Sequence, residues 1–121
     1  MCLCLFDNSE ETIVEKPFSV FKVAKLLNGI IVSPFFHKKL EGEVTSNITV
    51  RYDNVLRRTV INVGLHTFLY QKDAEKYIED LGDERLFILP CVVPVGARSY
   101  VGETLCKGKS YCSMVSDKLL I

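Results

Sequence analysis

The stretch "VGLHTFLYQKDAEKYIEDLG" places His66 between a glycine-leucine pair and a threonine-phenylalanine pair, just ahead of a short amphipathic pattern. Imidazole is the side chain whose ordinary pKa lies nearest neutrality, so it can move a proton, hold a metal or face an anion. It also serves as a packed residue, its ring bonded to a main-chain carbonyl at a corner of the chain. On the first reading His66 lines a cleft where a strand hands over to a helix. On the second it is structural. Gly64 suits both, because the missing Cβ permits close approach of a ligand or of a neighbouring strand.

The thiols and the arginines are the other groups with chemistry to offer. Cys106 and Cys112, with His37 and His66 distant in sequence, have the donor types of a zinc site but lack the close pairing that structural zinc ligands show. No C-x-x-C, H-E-x-x-H, phosphate-cradling glycine loop or nucleophile elbow occurs, so the sequence points to no metal and no cofactor. Cys91 lies in an apolar run and reads as core. A dyad of His66 with Cys106 or Cys112 needs a depressed thiol pKa, and only Lys107 and Lys109 stand near enough in sequence to help. Arg51, Arg57 and Arg58 enclose Tyr52, an interleaving of basic and aromatic residues suited to a small anion or an acidic protein surface. Two or three cations are too few for a nucleic-acid footprint.

These groups must be positioned by elements that the pattern also suggests. "PFSVFKVAKLL" alternates Phe18, Val20, Lys22, Ala24 and Leu26 against Ser19, Phe21, Val23 and Lys25, as a strand does. Asn28-Gly29 then supplies a type I′ turn and "IIVSPFF" the return strand, so a hairpin is predicted over 18–36, with an edge exposed for self-pairing. Three further β-type runs extend to Phe68. Ala74, Tyr77, Ile78 and Leu81 fall at helical spacing and Gly82 is placed to cap them, predicting one helix over about residues 72–81. "RLFILPCVVPVGARSYVG" reads as a central strand that Pro90 bulges or breaks in two. "CKGKS" reads as a loop and "SDKLLI" as the last strand.

The expectation is a single α+β domain over 17–121, a mostly antiparallel sheet with one packed helix, preceded by a loosely held arm over 1–16 that docks by Leu3, Leu5 and Phe6. A chain of 121 residues with 48% hydrophobic content fits one core. Fifteen basic and fifteen acidic residues cancel, so no global field draws it to nucleic acid or to an anionic membrane. The charges are unevenly spread, basic from Lys16 to Arg58 and acidic from Lys72 to Arg85. Five cysteines without framework spacing, no signal-like leader and no long apolar run predict a cytoplasmic, reduced protein away from the membrane. The sequon at Asn47 is then a chance match.

The order "FKVAKLLNGIIVSPFF", "GLHTFLYQKDAEKY", "CVVPVGARSYVGE" and "SYCSMVSDKLLI" resembles a group of small, mostly uncharacterised proteins of bacteriophages and prophages, over 18–121. That resemblance implies action in the cytosol of a bacterial host. More distantly, "TFLYQKDAEKY" and "VVPVGARSY" resemble the strand-helix and turn of ADP-ribosyltransferase-like domains. On that likeness His66 or Tyr70 would line a nicotinamide cleft and Glu103 would be the candidate catalytic glutamate. The first strand of that family, with its arginine or His-Gly-Thr, has no counterpart here. The sequence therefore leads to a non-catalytic binding module that modulates or inhibits a host protein or captures a small anionic or nucleotide-like ligand. Its candidate contacts are His66, Tyr70, Arg51, Arg57, Tyr100 and Glu103, and the alternative is a nucleotide-binding or ADP-ribosyltransferase-like enzyme.

Overall fold

The computed structural model describes residues 3–6, 9–34 and 37–121. In chain order the strands are β1 (Leu3–Leu5), β2 (Thr12–Ile13), β3 (Phe18–Leu27), β4 (Ile30–Val32), β5 (Glu43–Thr45), β6 (Thr49–Asp53), β7 (Arg58–Val63) and β8 (Leu65–Phe68). Helix α1 (Gln71–Leu81) follows, then β9 (Leu86–Val93), β10 (Arg98–Cys106), β11 (Lys109–Ser116) and β12 (Lys118–Leu120). All strands join one sheet whose main path runs β5-β12-β9-β3-β8-β11-β10-β1-β7-β6, and every named pairing is antiparallel. The fold is thus mostly antiparallel β with one short helix.

Bent strands roll this sheet up. β7 and β8 form one run interrupted at Gly64: β7 pairs with β1 and β6, β8 with β3 and β11. Since β1 pairs with β10 and β10 with β11, the pairings close a ring. β11 and β12 are likewise one run bent at Asp117, and β12 passes on to β9 and β5. The two ends of the path, β5 and β6, are separated in the chain only by residues 46–48, so they lie within about 15 Å of each other.

Local chemistry explains the tight turns. Asn28 and Gly29 have φ of 51° and 79°, the paired positive values of a type I′ turn, and β3 and β4 meet across it as expected. Phe35 and Phe36, the far end of the anticipated hairpin, lie outside the described residues, as does Cys2. "CKGKS" is a second turn of this kind, with Lys107 and Gly108 at φ 48° and 77° joining β10 to β11, where a loop was expected. Helix α1 ends on Gly82 in the left-handed conformation, whose amide bonds the Ile78 carbonyl over 3.0 Å.

Two expectations change. The described residues of the segment 1–16 form no loose arm, because β1 is buried between β10 and β7, β2 pairs with β10, and Leu3 and Leu5 belong to a core cluster. Pro90 neither bulges nor breaks β9, which holds an unshifted register with β3 from Phe18↔Val93 to Lys25↔Leu86. β12 reaches β9 only at Val92, so on that side Pro90 interrupts no ladder.

Apolar side chains fill both sides of the sheet. Val20, Ala24, Leu65, Cys91, Val93, Met114 and Leu119 form one cluster. Ala74 and Tyr77 of α1 pack on Val23, Phe68 and Tyr111 on the opposite side, where the Phe68 and Tyr77 rings lie 5.1 Å apart. Among the described residues no helix is long and apolar enough to cross a membrane.

Candidate functional site

The bend at Gly64 sets the surroundings of His66. Gly64 has φ of 145°, and a Cβ there would collide with Val115 Cγ1, so the missing side chain admits a neighbouring strand and no ligand. His66 is buried, its Nδ1 lying 3.1 Å from the Gly64 carbonyl and its Nε2 3.0 Å from the Ile61 carbonyl. A neutral ring donates to only one of these. Burial is the largest influence and pushes the imidazole down to about 4, with the Lys22 charge in the same direction and the two carbonyls opposing. At neutral pH His66 is an uncharged, packed side chain, as its structural reading expects.

Glu103 lies on the other face of the sheet. His66, Val115 and Tyr100 are cross-strand partners in one line, whereas Glu103 stands opposite Cys112 and Cys4, three residues on from Tyr100. Its carboxylate accepts from the Arg58 guanidinium, which also donates to the Leu5 carbonyl over 2.9 Å. Glu103 therefore ties the start of β7 to β10. The Tyr100 hydroxyl donates to Glu11 over 3.0 Å, and Glu11 takes a bidentate pair from Arg98 at 2.9 and 3.0 Å that holds its carboxyl below the usual range. Tyr70 is exposed at the N-cap of α1, with the Lys72 ammonium 5.8 Å from its ring. The cleft that would need His66, Tyr70 and Glu103 to converge is not formed by them.

Arg51 and Arg57 do share a feature, the β6–β7 hairpin. Asp53 Oδ1 accepts the amides of Val55 and Leu56 at 2.9 and 3.0 Å and so builds the turn. Arg57 is exposed at φ 55° within that turn, where an alternating strand had been expected, and Arg51 is exposed on β6 with its guanidinium 3.6 Å from Asp53. Around them Val55 is 92% exposed, Tyr52 59%, and Val50 and Leu56 44% each.

Cys91, Cys106 and Cys112 do not come together in a site. Cys91 donates to the Leu89 carbonyl over 3.2 Å, and burial pushes it up to about 11. Cys106 and Cys112 stand in the β10–β11 ladder on opposite faces, Cys106 opposite Lys109 and Cys112 opposite Glu103. Among the described residues no three His, Cys, Asp or Glu side chains are grouped to hold a metal.

Sequence reasoning passed over Lys22. It is 6% exposed, and its ammonium donates to the His66 carbonyl over 2.9 Å. The alternation of Phe18, Val20, Lys22 and Ala24 had placed it on an apolar face, and that was the available signal. Also unforeseen was a cleft of about 410 Å³ between α1 and β11, where Asp80 accepts from Tyr111 and from Lys109. The bond to Asp80 is the chief reason that the Tyr111 phenol rises to about 12.

No family model, curated protein or solved structure matches this chain. Its function is therefore argued from its own side chains.

Proposed function

We propose that this chain is a non-catalytic binding module that presents the β6–β7 hairpin to a protein partner. The observation that carries the reading is the tip of that hairpin, where Val50, Tyr52, Val55 and Leu56 face solvent around Arg51 and Arg57. A small soluble domain gains nothing in its own core from large apolar side chains held out in this way, and an aromatic residue beside arginine is the composition of binding hot spots. The separation of His66, Tyr70 and Glu103 supports a module without catalysis.

A protein partner fits better than a nucleotide. The cleft beside α1 is lined by Asp73, Glu79 and Asp80 against Lys76 and Lys109, a balance that repels phosphate. A second cleft, of about 370 Å³ beside β4, holds Lys39 already paired with Glu41 at 2.9 Å. On the resemblance to phage and prophage proteins, the partner is a factor of a bacterial host, met in its cytosol and modulated or inhibited by binding.

The test is affinity capture from bacterial cytosol with the wild-type chain and with Val55→Asp, a change at a position too exposed to disturb folding. A host protein retained by the wild type and lost by the variant is the expected result. Equal retention by both, or a rise in thermal midpoint with NAD or a cyclic nucleotide in place of any capture, overturns it.

A further inference from the structure

The outer side of β6 has its own chemistry. Among the described residues β6 pairs only with β7, leaving one side of five residues without a strand beside it. β5 and β2 are also paired on one side alone, but they are three and two residues long. Main-chain donors and acceptors along such an edge are a template for another strand, and natural edges of this length are usually guarded.

β6 has two guards, and one of them is selective. The register shifts between Thr49 and Val50, which limits how far a flat strand can extend. Arg51, at the centre of the edge, opposes any strand that sets a cation across from it and attracts one that sets a carboxylate there. Its neighbour Asp53 is 3.6 Å away and is committed through Oδ1 to the turn amides. Arg57 has no carboxylate partner among the described residues. Beside the Arg58 that pairs with Glu103, the hairpin thus holds one cation unpaired among the described residues, one loosely paired cation, and apolar side chains at Val50 and Tyr52 on alternate positions from Arg51.

We infer that β6 docks an extended acidic segment of a protein partner, added to the sheet edge as a further strand with a carboxylate across from Arg51 and an apolar side chain against Val50 and Tyr52. The inference rests on the hairpin reading above and names the partner's chemistry. A second copy of this chain is the poorer occupant, since the only acid on its own β6 is the Asp53 that holds the turn.

The probe is a capped eight-residue peptide alternating valine and glutamate, mixed with the full chain while amide hydrogen exchange is followed. Exchange at Thr49 to Asp53 is expected to slow by about tenfold or more, with most of the effect lost in Arg51→Ala and with the peptide carrying lysines for glutamates. No slowing with the glutamate peptide, or equal slowing with the lysine peptide, overturns the inference. So does a dimer in sedimentation that already protects these amides without peptide. The two readings fail separately. A host protein lost in Val55→Asp while the glutamate peptide leaves β6 unprotected sinks strand addition and keeps the hairpin reading. Protection of β6 without any Val55-dependent capture sinks the host-factor reading.

Discussion

Lys22 donates to the main-chain carbonyl of His66 over 2.9 Å, beside the single residue pair, Phe21↔Phe68, through which β3 and β8 meet. The ammonium does there what a ladder amide does elsewhere. A buried carbonyl without a partner costs about 1–3 kcal/mol, so an amine is tolerated inside an otherwise apolar cluster.

Stability should therefore rise in mild alkali. Desolvation lowers the folded pKa of Lys22 to about 8, against about 10.5 in the unfolded chain. From about pH 8 the folded amine is neutral while the unfolded one is still protonated, so Lys22 makes unfolding free energy increase with pH; above about 9 the Cys91 thiol, pushed up to about 11 in the folded chain, adds the opposite slope and offsets it. Denaturant midpoints from pH 7.5 to 10.5 measure this. Lys22→Met should remove the rise between about pH 8 and 9, leave the fall above 9 that Cys91 sets, and take from the buried His66 carbonyl its donor. An unchanged slope in the variant would refute the assignment.

His66 gives the acid side. Its folded pKa of about 4 lies below the ordinary 6.5, so stability is full above 6.5 and is lost as pH falls from there towards 4. Nitrogen NMR at pH 6 should find a neutral ring with a single tautomer. His66→Ala should cost about 2–4 kcal/mol, because it leaves a cavity and an unpaired carbonyl. Capture of a partner through the hairpin should survive in this variant. Loss of capture with stability kept would return His66 to a binding role.

Gly64→Ala tests the bend itself. The new methyl meets Val115 Cγ1 and the residue must hold a positive φ, so a loss of about 2–4 kcal/mol is expected from overpacking and backbone strain together. Val115 is fully buried, and Val115→Ala alone should also destabilise. The double variant should be more stable than the sum of the two losses predicts, since the collision is removed. Strict additivity in thermal or denaturant unfolding would show that the bend does not depend on this contact.

Features set by neighbouring residues were legible in the sequence, and features set by distant ones were not. Asn28-Gly29 carries its turn in its own backbone preferences, and the spacing of Ala74, Tyr77, Ile78 and Leu81 carries the helix. The place of β1 between β10 and β7 depends on strands about 55 and 100 positions away, so an apolar tripeptide read as a docking arm became part of the sheet. Pro90 was misjudged because the cost of a proline depends on how far the next strand reaches, here only to Val92. At the site, alternation placed Arg51 outside, whereas Arg57 stands in a turn that alternation did not anticipate, and the Arg58 partner of Glu103 lies 45 residues away and left no local trace.

Glu103 should behave as a structural carboxylate. Its pair with Arg58 has side chains 22% and 26% exposed, so Glu103→Ala should cost about 1–3 kcal/mol. Incubated with NAD, the wild type and Glu103→Gln should release nicotinamide no faster than buffer. Release by the wild type that Glu103→Gln abolishes would restore the ADP-ribosyltransferase-like reading.

A chain beginning at Pro17 should fail to fold. Without β1 the facing edges of β7 and β10 are both unpaired, and the cluster of Ile61 and Val115 loses Leu3 and Leu5, which are 0% and 8% exposed. Burying two leucines contributes about 3–6 kcal/mol, a large part of what a domain of this size has in reserve. The same deletion removes Glu11 from Arg98 and Tyr100 and Val14 from the Ala97 carbonyl. Circular dichroism with a thermal scan should show the truncated chain without a cooperative transition. Leu3→Ala in the full chain should lower the midpoint while keeping the transition cooperative, and a cooperative 17–121 fragment of near-wild-type midpoint would make the first sixteen residues an appendage after all.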